Sequence, residues 1–130
     1  PRGLLGHGRG LARRLLGDNG ITYALDLSCT VGIAVMEPDL RRDLNLLINE
    51  AYNNILKYAK AKHVRTRLKL NSYLFELDIE DDGIGFDPSL VHGAGNGLRN
   101  MRERAARYEG KLRISSEPGK GTRITGEGRF

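Results

Sequence analysis

The most constraining feature of this sequence is an apolar stripe at helical spacing between residues 44 and 59. Its members recur at intervals of three and four residues, which places their side chains on one face of an α-helix. They are Leu44, Leu47, Ile48, Ala51, Ile55, Tyr58 and Ala59. Pro38, upstream of the stripe, suits the first turn of a helix. The sequence therefore predicts a long amphipathic helix that must cover an apolar surface.

Segments in which apolar and polar residues alternate supply that surface. Residues 21–27 alternate before the helix, and residues 63–70 and 73–79 alternate after it, joined by an Asn-Ser turn. A last hairpin is predicted from Leu112 to Phe130 around the turn Pro118-Gly119-Lys120-Gly121. Two glycines on the core face of its second strand predict that the C-terminal end of this strand frays.

Shorter helices complete the pattern. Leu11, Leu15 and Leu16 form a stripe ending at Gly17, and residues 98–108 form another that is stopped by Gly110. A single sheet covered by helices on one face satisfies this order of elements. The predicted fold class is therefore an α+β two-layer sandwich.

Length and composition indicate one domain. The chain has 130 residues, and the Gly-rich residues 1–10 read as a flexible fragment boundary before a domain at 11–130. The net charge is +5, but no aromatic residues alternate with Arg or Lys, so nucleic acid is not the expected partner. No apolar run approaches the ~18 residues of a membrane span, so no membrane contact is expected. The single Cys29 excludes an internal disulfide and favours a cytoplasmic location.

Three groups of residues could bind a ligand. Glu50, Asn54 and Lys57 share a polar helix face, where Asn and Glu oxygens suit Mg²⁺ and the lysine suits phosphate. An ordinary solvated helix face would look the same.

The second group follows a strand: Asp81, then Gly83 and Gly85. An ionised carboxylate accepts hydrogen bonds, as the amino group of adenine requires, and the glycines would let a flat ring approach the backbone. A plain turn is the alternative. Asp81 and Asp82 are adjacent and would point apart in an extended segment, so a paired acid–base mechanism is not expected.

The third group is Gly93-Ala94-Gly95-Asn96-Gly97, placed at the start of the helix predicted from Leu98. Glycines before a helix expose backbone N–H groups to an anion, and the helix dipole attracts negative charge. A flexible loop is the alternative here.

Taken together, the motifs resemble the N box and glycine boxes of the gyrase and histidine-kinase ATPase superfamily. The matching segments are NEAYNNILKYA (49–59), DDGIGF (81–86), GAGNGL (93–98) and GKGT (119–122). The run from Gly97 to Ala105 looks like the nitrate-sensor type of bacterial histidine kinase. The resemblance implies a Bergerat-type fold, with a mixed five-stranded sheet and about three helices on one face.

The resemblance also implies a role for each matching residue. Asn54 would coordinate Mg²⁺ bridging the phosphates of ATP, with Glu50 beside it as a second possible ligand. Lys57 and Tyr58 match positions that touch phosphate and base, and Asn54 and Lys57 would carry the catalysis. The remaining positions divide between the adenine side (Asp81, Gly83, Gly85, Thr122) and the hinge of a lid over the phosphates (Gly95, Gly97, Leu98).

The implied function is transfer of the γ-phosphoryl group of ATP to a histidine on a dimerisation helix of the same receptor, and onward to a response regulator. His7, His63 and His92 do not fit the acceptor pattern, so the acceptor is expected outside this chain. Two other interpretations stay open: a module that binds nucleotide without transferring phosphate, and a Ser/Thr kinase of the same superfamily.

Overall fold

A mixed five-stranded sheet is the framework of the chain. The structure, a computed structural model, describes residues 9–29, 38–70, 74–85 and 111–129. The strands are β1 (Thr22–Cys29), β2 (His63–Leu70), β3 (Leu74–Asp81), β4 (Lys111–Ser116) and β5 (Thr122–Arg129). They lie in the order β1-β2-β3-β5-β4, with β1 parallel to β2 and the other pairs antiparallel. A parallel pair requires a crossover, and the long helix lies between β1 and β2 in the chain.

The long helix, α1, spans Pro38–Asn54 and continues as a π-helical turn over Ile55–Ala59. It ends where Lys60 adopts a left-handed conformation with φ 50°. The start at Pro38 and the apolar stripe are as predicted. Every stripe residue whose side chain is described is buried, and Tyr52 is buried with them.

The N-terminal helical segment runs over Ala12–Leu16 and then as a 3₁₀ turn over Gly17–Asn19. The first helix ends at Leu16 with Gly17 as its C-cap, as predicted, but a 3₁₀ turn that was not predicted follows it. Gly17 keeps a right-handed helical φ of −58°, and Gly20, with φ 76°, is the residue that ends the segment.

All strands present one apolar face to the helices, which confirms the predicted α+β sandwich. In β2 and β3 every second residue is buried, from Val64 to Leu70 and from Phe75 to Asp81. The opposite face is charged, and Arg123 there makes a two-point ion pair with Asp78, at 3.0 and 2.7 Å. The helix predicted over 98–108 lies outside the described residues.

The prediction that the last strand frays was wrong. β5 pairs with β3 along its whole length, from Thr122 opposite Asp81 to Arg129 opposite Leu74. A Cβ atom at Gly126 would lie 3.3 Å from Cδ1 of Leu112. The missing side chain therefore leaves room for the leucine of β4 on the core face, so packing offsets the lower strand propensity of glycine.

One buried hydrogen bond ties α1 to the sheet. The hydroxyls of Tyr52 and Thr66 lie 2.6 Å apart, and both residues are almost completely buried. Burial raises the pKa of Tyr52 to about 12, although its hydrogen bond with Thr66 opposes the shift. This bond holds the C-terminal part of α1 over β2. Thr66 lies two residues after Val64, which pairs with Asp81.

Removing this bond from one side is expected to destabilise the fold. Tyr52→Phe should lower the free energy of unfolding by about 1–2 kcal/mol, because the Thr66 hydroxyl is left buried without its partner. Adding Thr66→Val should recover much of the loss, since both polar atoms are then gone. Urea denaturation of the single and double variants measures this. If the double variant is as unstable as Tyr52→Phe, or less stable, the hydrogen bond does not have the role described.

Candidate functional site

Asp81 is a buried carboxylate at the end of β3, on the face that the helices cover. The residue is only 6% exposed. Its carboxylate accepts hydrogen bonds from the backbone N–H groups of Gly83, at 2.8 Å, and of Thr122. Burial is the largest influence on its pKa and raises it, while these two hydrogen bonds act in the opposite direction. A carboxylate kept in such a place costs stability, which is typical of functional positions.

Asp82, the next residue, has a different environment. Its side chain is exposed, and its Oδ1 atom accepts hydrogen bonds from the backbone N–H groups of Lys62 and His63, both at 2.8 Å. These bonds, that from His63 first, lower the pKa of Asp82. The two carboxylates therefore have different roles: Asp82 holds the start of β2 in place, and Asp81 faces the interior. The two side chains point apart, as predicted for adjacent residues of an extended segment.

The glycines after Asp81 are required by backbone contacts. A Cβ at Gly83 would overlap the carbonyl of Ala59 at the end of α1, and Ile84 N–H donates to that same carbonyl at 2.7 Å. Gly85 has φ 66°, and a Cβ there would overlap the carbonyl of Glu117. The loop is thus clamped between α1 and the β4–β5 turn. These contacts give the two glycines a structural reason besides the predicted room for a flat ring.

The turn between β4 and β5 closes the same region from the other side. Gly121 has φ 78°, and a Cβ there would overlap the carbonyl of Asp81. The N–H of Gly119 donates to the carbonyl of Ile84. Thr122, the first residue of β5 and a predicted site residue, lies directly opposite Asp81.

The helix residues of the predicted site lie near the same end of the sheet. Asn54 and Glu50 are partly exposed and Lys57 is exposed. Asn54 lies five residues before Ala59, and the carbonyl of Ala59 accepts a hydrogen bond from Ile84 N–H. Glu50 and Asn54 offer oxygen atoms one helical turn apart, a donor set that suits a hard divalent cation.

A groove of about 580 Å³ opens beside Asp81. Asp81 and Thr122 line it together with outer-face residues such as His63 and Arg123, and among the described residues its lining includes none from α1. That Asn54 and Asp81 line one cleft therefore stays a prediction, supported by the contact of the Asp81 loop with the end of α1. Gly95, Gly97 and Leu98 lie outside the described residues, and only the backbone of Tyr58 is described.

Sequence reasoning missed two residues that shape this region. Asp82 anchors the start of β2 through the N–H groups of Lys62 and His63, and Ser116 is the second such residue. Ser116 lies opposite Thr122 with their hydroxyls 2.8 Å apart. The predicted hairpin places Ser116 near Thr122, but a hairpin pattern does not show which hydroxyl groups are in contact.

Comparison with known proteins assigns the family. Residues 39–127 match the family described as histidine kinase-, DNA gyrase B- and HSP90-like ATPase. This match covers most of the chain, and the protein belongs to that family.

Several relatives carry histidine-kinase names. A Chloroflexus aurantiacus protein described as an uncharacterized sensor-like histidine kinase is 44% identical over 85 residues, which are 61% of this chain and 14% of that protein. The sensor histidine kinase MctS of Rhizobium johnstonii is 30% identical over 133 residues, covering 88% of this chain and 29% of MctS. The chain thus spans less than a third of the length of these relatives.

Solved structures confirm the fold. The Acinetobacter baumannii histidine kinase AdeS superimposes with a TM-score of 0.70 at 18% identity, covering 97% of this chain and 62% of that structure. The histidine kinase domain of the Erythrobacter litoralis EL346 blue-light activated histidine kinase superimposes with a TM-score of 0.63 at 18% identity. The match covers 94% of this chain and 60% of that structure. None of the helices in the described part of this chain combines the length and apolarity that a membrane crossing requires.

Proposed function

We propose that this chain, over residues 11–130, is the catalytic ATP-binding domain of a sensor histidine kinase. It binds Mg-ATP and donates the γ-phosphoryl group to a histidine on a separate dimerisation helix, from which a response regulator receives it. The observation that carries the proposal is the buried Asp81 carboxylate, clamped at the end of β3 within a family of ATPases.

The adenine end of the site is built around Asp81. Its carboxylate accepts two backbone hydrogen bonds and retains acceptor capacity, because a carboxylate has about four acceptor positions. The amino group of adenine is a donor and complements it. Gly83 and Gly85 hold the loop in place, and Thr122 stands opposite Asp81.

The phosphate end is assigned to α1 and to the glycine-rich segment with Gly95, Gly97 and Leu98. Asn54 and Glu50 would hold Mg²⁺, which when bound neutralises charge on the phosphates, and Lys57 would add a positive charge. Tyr58 would contact the base or a phosphate. Phosphoryl transfer needs mainly positioning and charge neutralisation, so Asn54 and Lys57 are the proposed catalytic residues.

The acceptor histidine belongs to another segment in this proposal. His63, the one histidine in the described residues, lies 2.8 Å from Thr22 Oγ1 through Nδ1, and its backbone N–H donates to Asp82. It therefore has a structural role at the start of β2. We also propose the nitrate-sensor type, a cytoplasmic location without membrane or nucleic-acid contact by this segment, and weak ATPase activity of the chain alone.

Calorimetric titration of the chain with a non-hydrolysable ATP analogue tests the assignment of α1. We expect Asn54→Ala to weaken binding about tenfold in the presence of Mg²⁺ and to change it little with EDTA, because the amide acts through the metal. Asn53→Ala is the matched control. Its side chain donates to the carbonyl of Asn49 at 3.0 Å, and its direction on the helix differs by about 100°. Equal effects of Asn54→Ala with and without Mg²⁺ would reject the metal role.

Phosphotransfer distinguishes the two remaining interpretations. With radiolabelled ATP and an acceptor-helix segment of a sensor kinase added, we expect acid-labile phosphate on histidine. Acid-stable phosphate on a partner protein would indicate a Ser/Thr kinase, and binding without any transfer would indicate a regulatory module.

A further inference from the structure

The two edges of the sheet differ in how they are protected against pairing with another strand. β4 forms one edge and β1 forms the other. An edge strand offers a row of unpaired backbone N–H and C=O groups, which natural proteins block with lysine, proline, a bulge or a short strand. β4 follows this rule, because it has only six residues and its exposed side chains include the cations Lys111 and Arg113.

β1 has none of these protections. It has eight residues and pairs with β2 in an unbroken parallel register, from Thr22 opposite His63 to Cys29 opposite Leu70, so it contains no bulge. Its sequence, TYALDLSC, includes no lysine, arginine or proline. Among the described strands, only β2 pairs with it. The far edge of β1 is therefore a long template for a further strand.

The side chains of β1 suit a partner strand on both faces of the sheet. On the helix side, its apolar side chains pack against the core and stay partly exposed. They are Tyr23, Leu25 and Leu27. On the outer side, Ala24 and Asp26 are exposed, and Asp26 carries the one charge of the strand. A carboxylate oxygen of Asp26 lies 3.7 Å from Nε of Arg67 in β2, which balances this charge. β1 thus offers apolar surface and little net charge.

A second copy of this chain fits the edge in antiparallel pairing. A two-fold axis at Leu25 pairs residues 22–28 of both copies and places Tyr23 opposite Leu27 of the second copy on the helix side. On the outer side, Asp26 then lies opposite Ala24 of the second copy, so no like charges meet. An axis at Asp26 would instead bring the two carboxylates together, which is unfavourable. Charge therefore selects the register about Leu25.

We propose that two copies of this chain associate through their β1 edges, antiparallel about Leu25, and join their two five-stranded sheets into one. The assembly stops at two copies, because both β1 edges are then paired and the outermost strands are the cationic β4 strands. Edge pairing buries a small area, so the expected dimer is weak and reversible. The inference goes beyond the proposed function and does not depend on it, because no residue of the proposed ATP site belongs to β1.

Sedimentation equilibrium of the chain at about 10 µM to 1 mM measures the association. Ala24 gives the sharpest test, because it faces Asp26 of the second copy twice in each dimer. Ala24→Lys is expected to strengthen the dimer about fivefold, and Ala24→Glu is expected to weaken it by about the same factor. Adding Asp26→Lys to Ala24→Glu places opposite charges face to face again and should restore the dimer.

Ser28→Glu is the matched control within the same strand. It makes the same change of charge as Ala24→Glu, but opposite the neutral Thr22 of the second copy. The dissociation constant should therefore stay within about twofold of that of the unaltered chain. Because Ala24 and Ser28 are exposed, these variants are expected to fold, and thermal unfolding of each one checks this.

A chain that stays monomeric over this range of concentration overturns the inference. Growth of larger polymers would indicate head-to-tail pairing of β1 with β4, and equal effects of Ala24→Lys and Ala24→Glu would indicate a dimer through another surface. Both results overturn it as well. Opposite effects of these two variants, with rescue by the double variant, support it. Titration with an ATP analogue tests the proposed function separately, so either proposal can fail alone.

Discussion

Replacing Asp81 with asparagine is expected to weaken ATP binding strongly while leaving the domain at least as stable at neutral pH. Asparagine keeps a carbonyl oxygen for the N–H groups of Gly83 and Thr122. It loses the charge, and its amide nitrogen is a donor that would face the donor of adenine. We expect a loss of affinity of roughly 100-fold, since a hydrogen bond to a charged group is replaced by an unfavourable contact.

The effect of this variant on stability should depend on pH in a definite direction. Burial raises the pKa of Asp81 above its value in the unfolded chain. The folded protein therefore binds the proton more tightly than the unfolded chain, and stability falls as pH rises from the unfolded-state pKa through the folded-state pKa. Asp81→Asn removes this penalty. The stability that Asp81→Asn gains over the unaltered chain should be largest at neutral pH and should vanish below both pKa values.

Asp82 provides the matched control for this prediction. Its pKa is lowered, mainly by the hydrogen bond from His63 N–H, so its contribution to stability is present above the unfolded-state pKa and is lost as pH falls through the folded-state pKa. Asp82→Asn should lower stability at neutral pH and leave ATP affinity within about twofold, because a neutral acceptor remains for the two N–H groups. Thermal unfolding between pH 3 and 8, with titration of an ATP analogue, gives both readings. A destabilised Asp81→Asn that binds ATP normally would contradict the proposed role.

The sequence predicted most of the fold because its periodic patterns are strong. The stripe from Leu44 to Ala59 and the alternation in β2 and β3 report burial directly, and the structure confirms them. The extra turn at Gly17 and the paired end of β5 were not predictable in the same way. Both depend on tertiary contacts, such as the packing of Leu112 against Gly126, which local propensity does not include.

The candidate site was predictable in part for a different reason. The motif spacing identified Asp81 and the glycines after it, and the structure shows Asp81 buried at a strand end. The sequence indicated only one of the two reasons for these glycines. Room for a ligand and room for a carbonyl group both require a missing side chain, and only coordinates show that Ala59 and Glu117 approach Gly83 and Gly85. The contact between the Ser116 and Thr122 hydroxyls likewise forms only after folding.

A large loss of stability is expected from alanine at Gly121, and the same turn contains its control. Gly119 and Gly121 have nearly the same left-handed φ, 83° and 78°. A Cβ at Gly119 would have no atom within 4 Å, whereas a Cβ at Gly121 would overlap the carbonyl of Asp81. Gly119→Ala should therefore cost only the conformational penalty, about 1–2 kcal/mol.

Gly121→Ala must in addition move the backbone of β3 at Asp81 or that of the turn, so we expect a loss above about 3 kcal/mol. The same shift would separate Thr122 from Asp81, so ATP binding should be lost even under conditions where the variant is folded. Urea denaturation and titration with an ATP analogue measure the two effects separately. Equal losses at Gly119 and Gly121 would show that the left-handed conformation alone sets the cost. The close approach of the turn to Asp81 would then not contribute to the stability of the site.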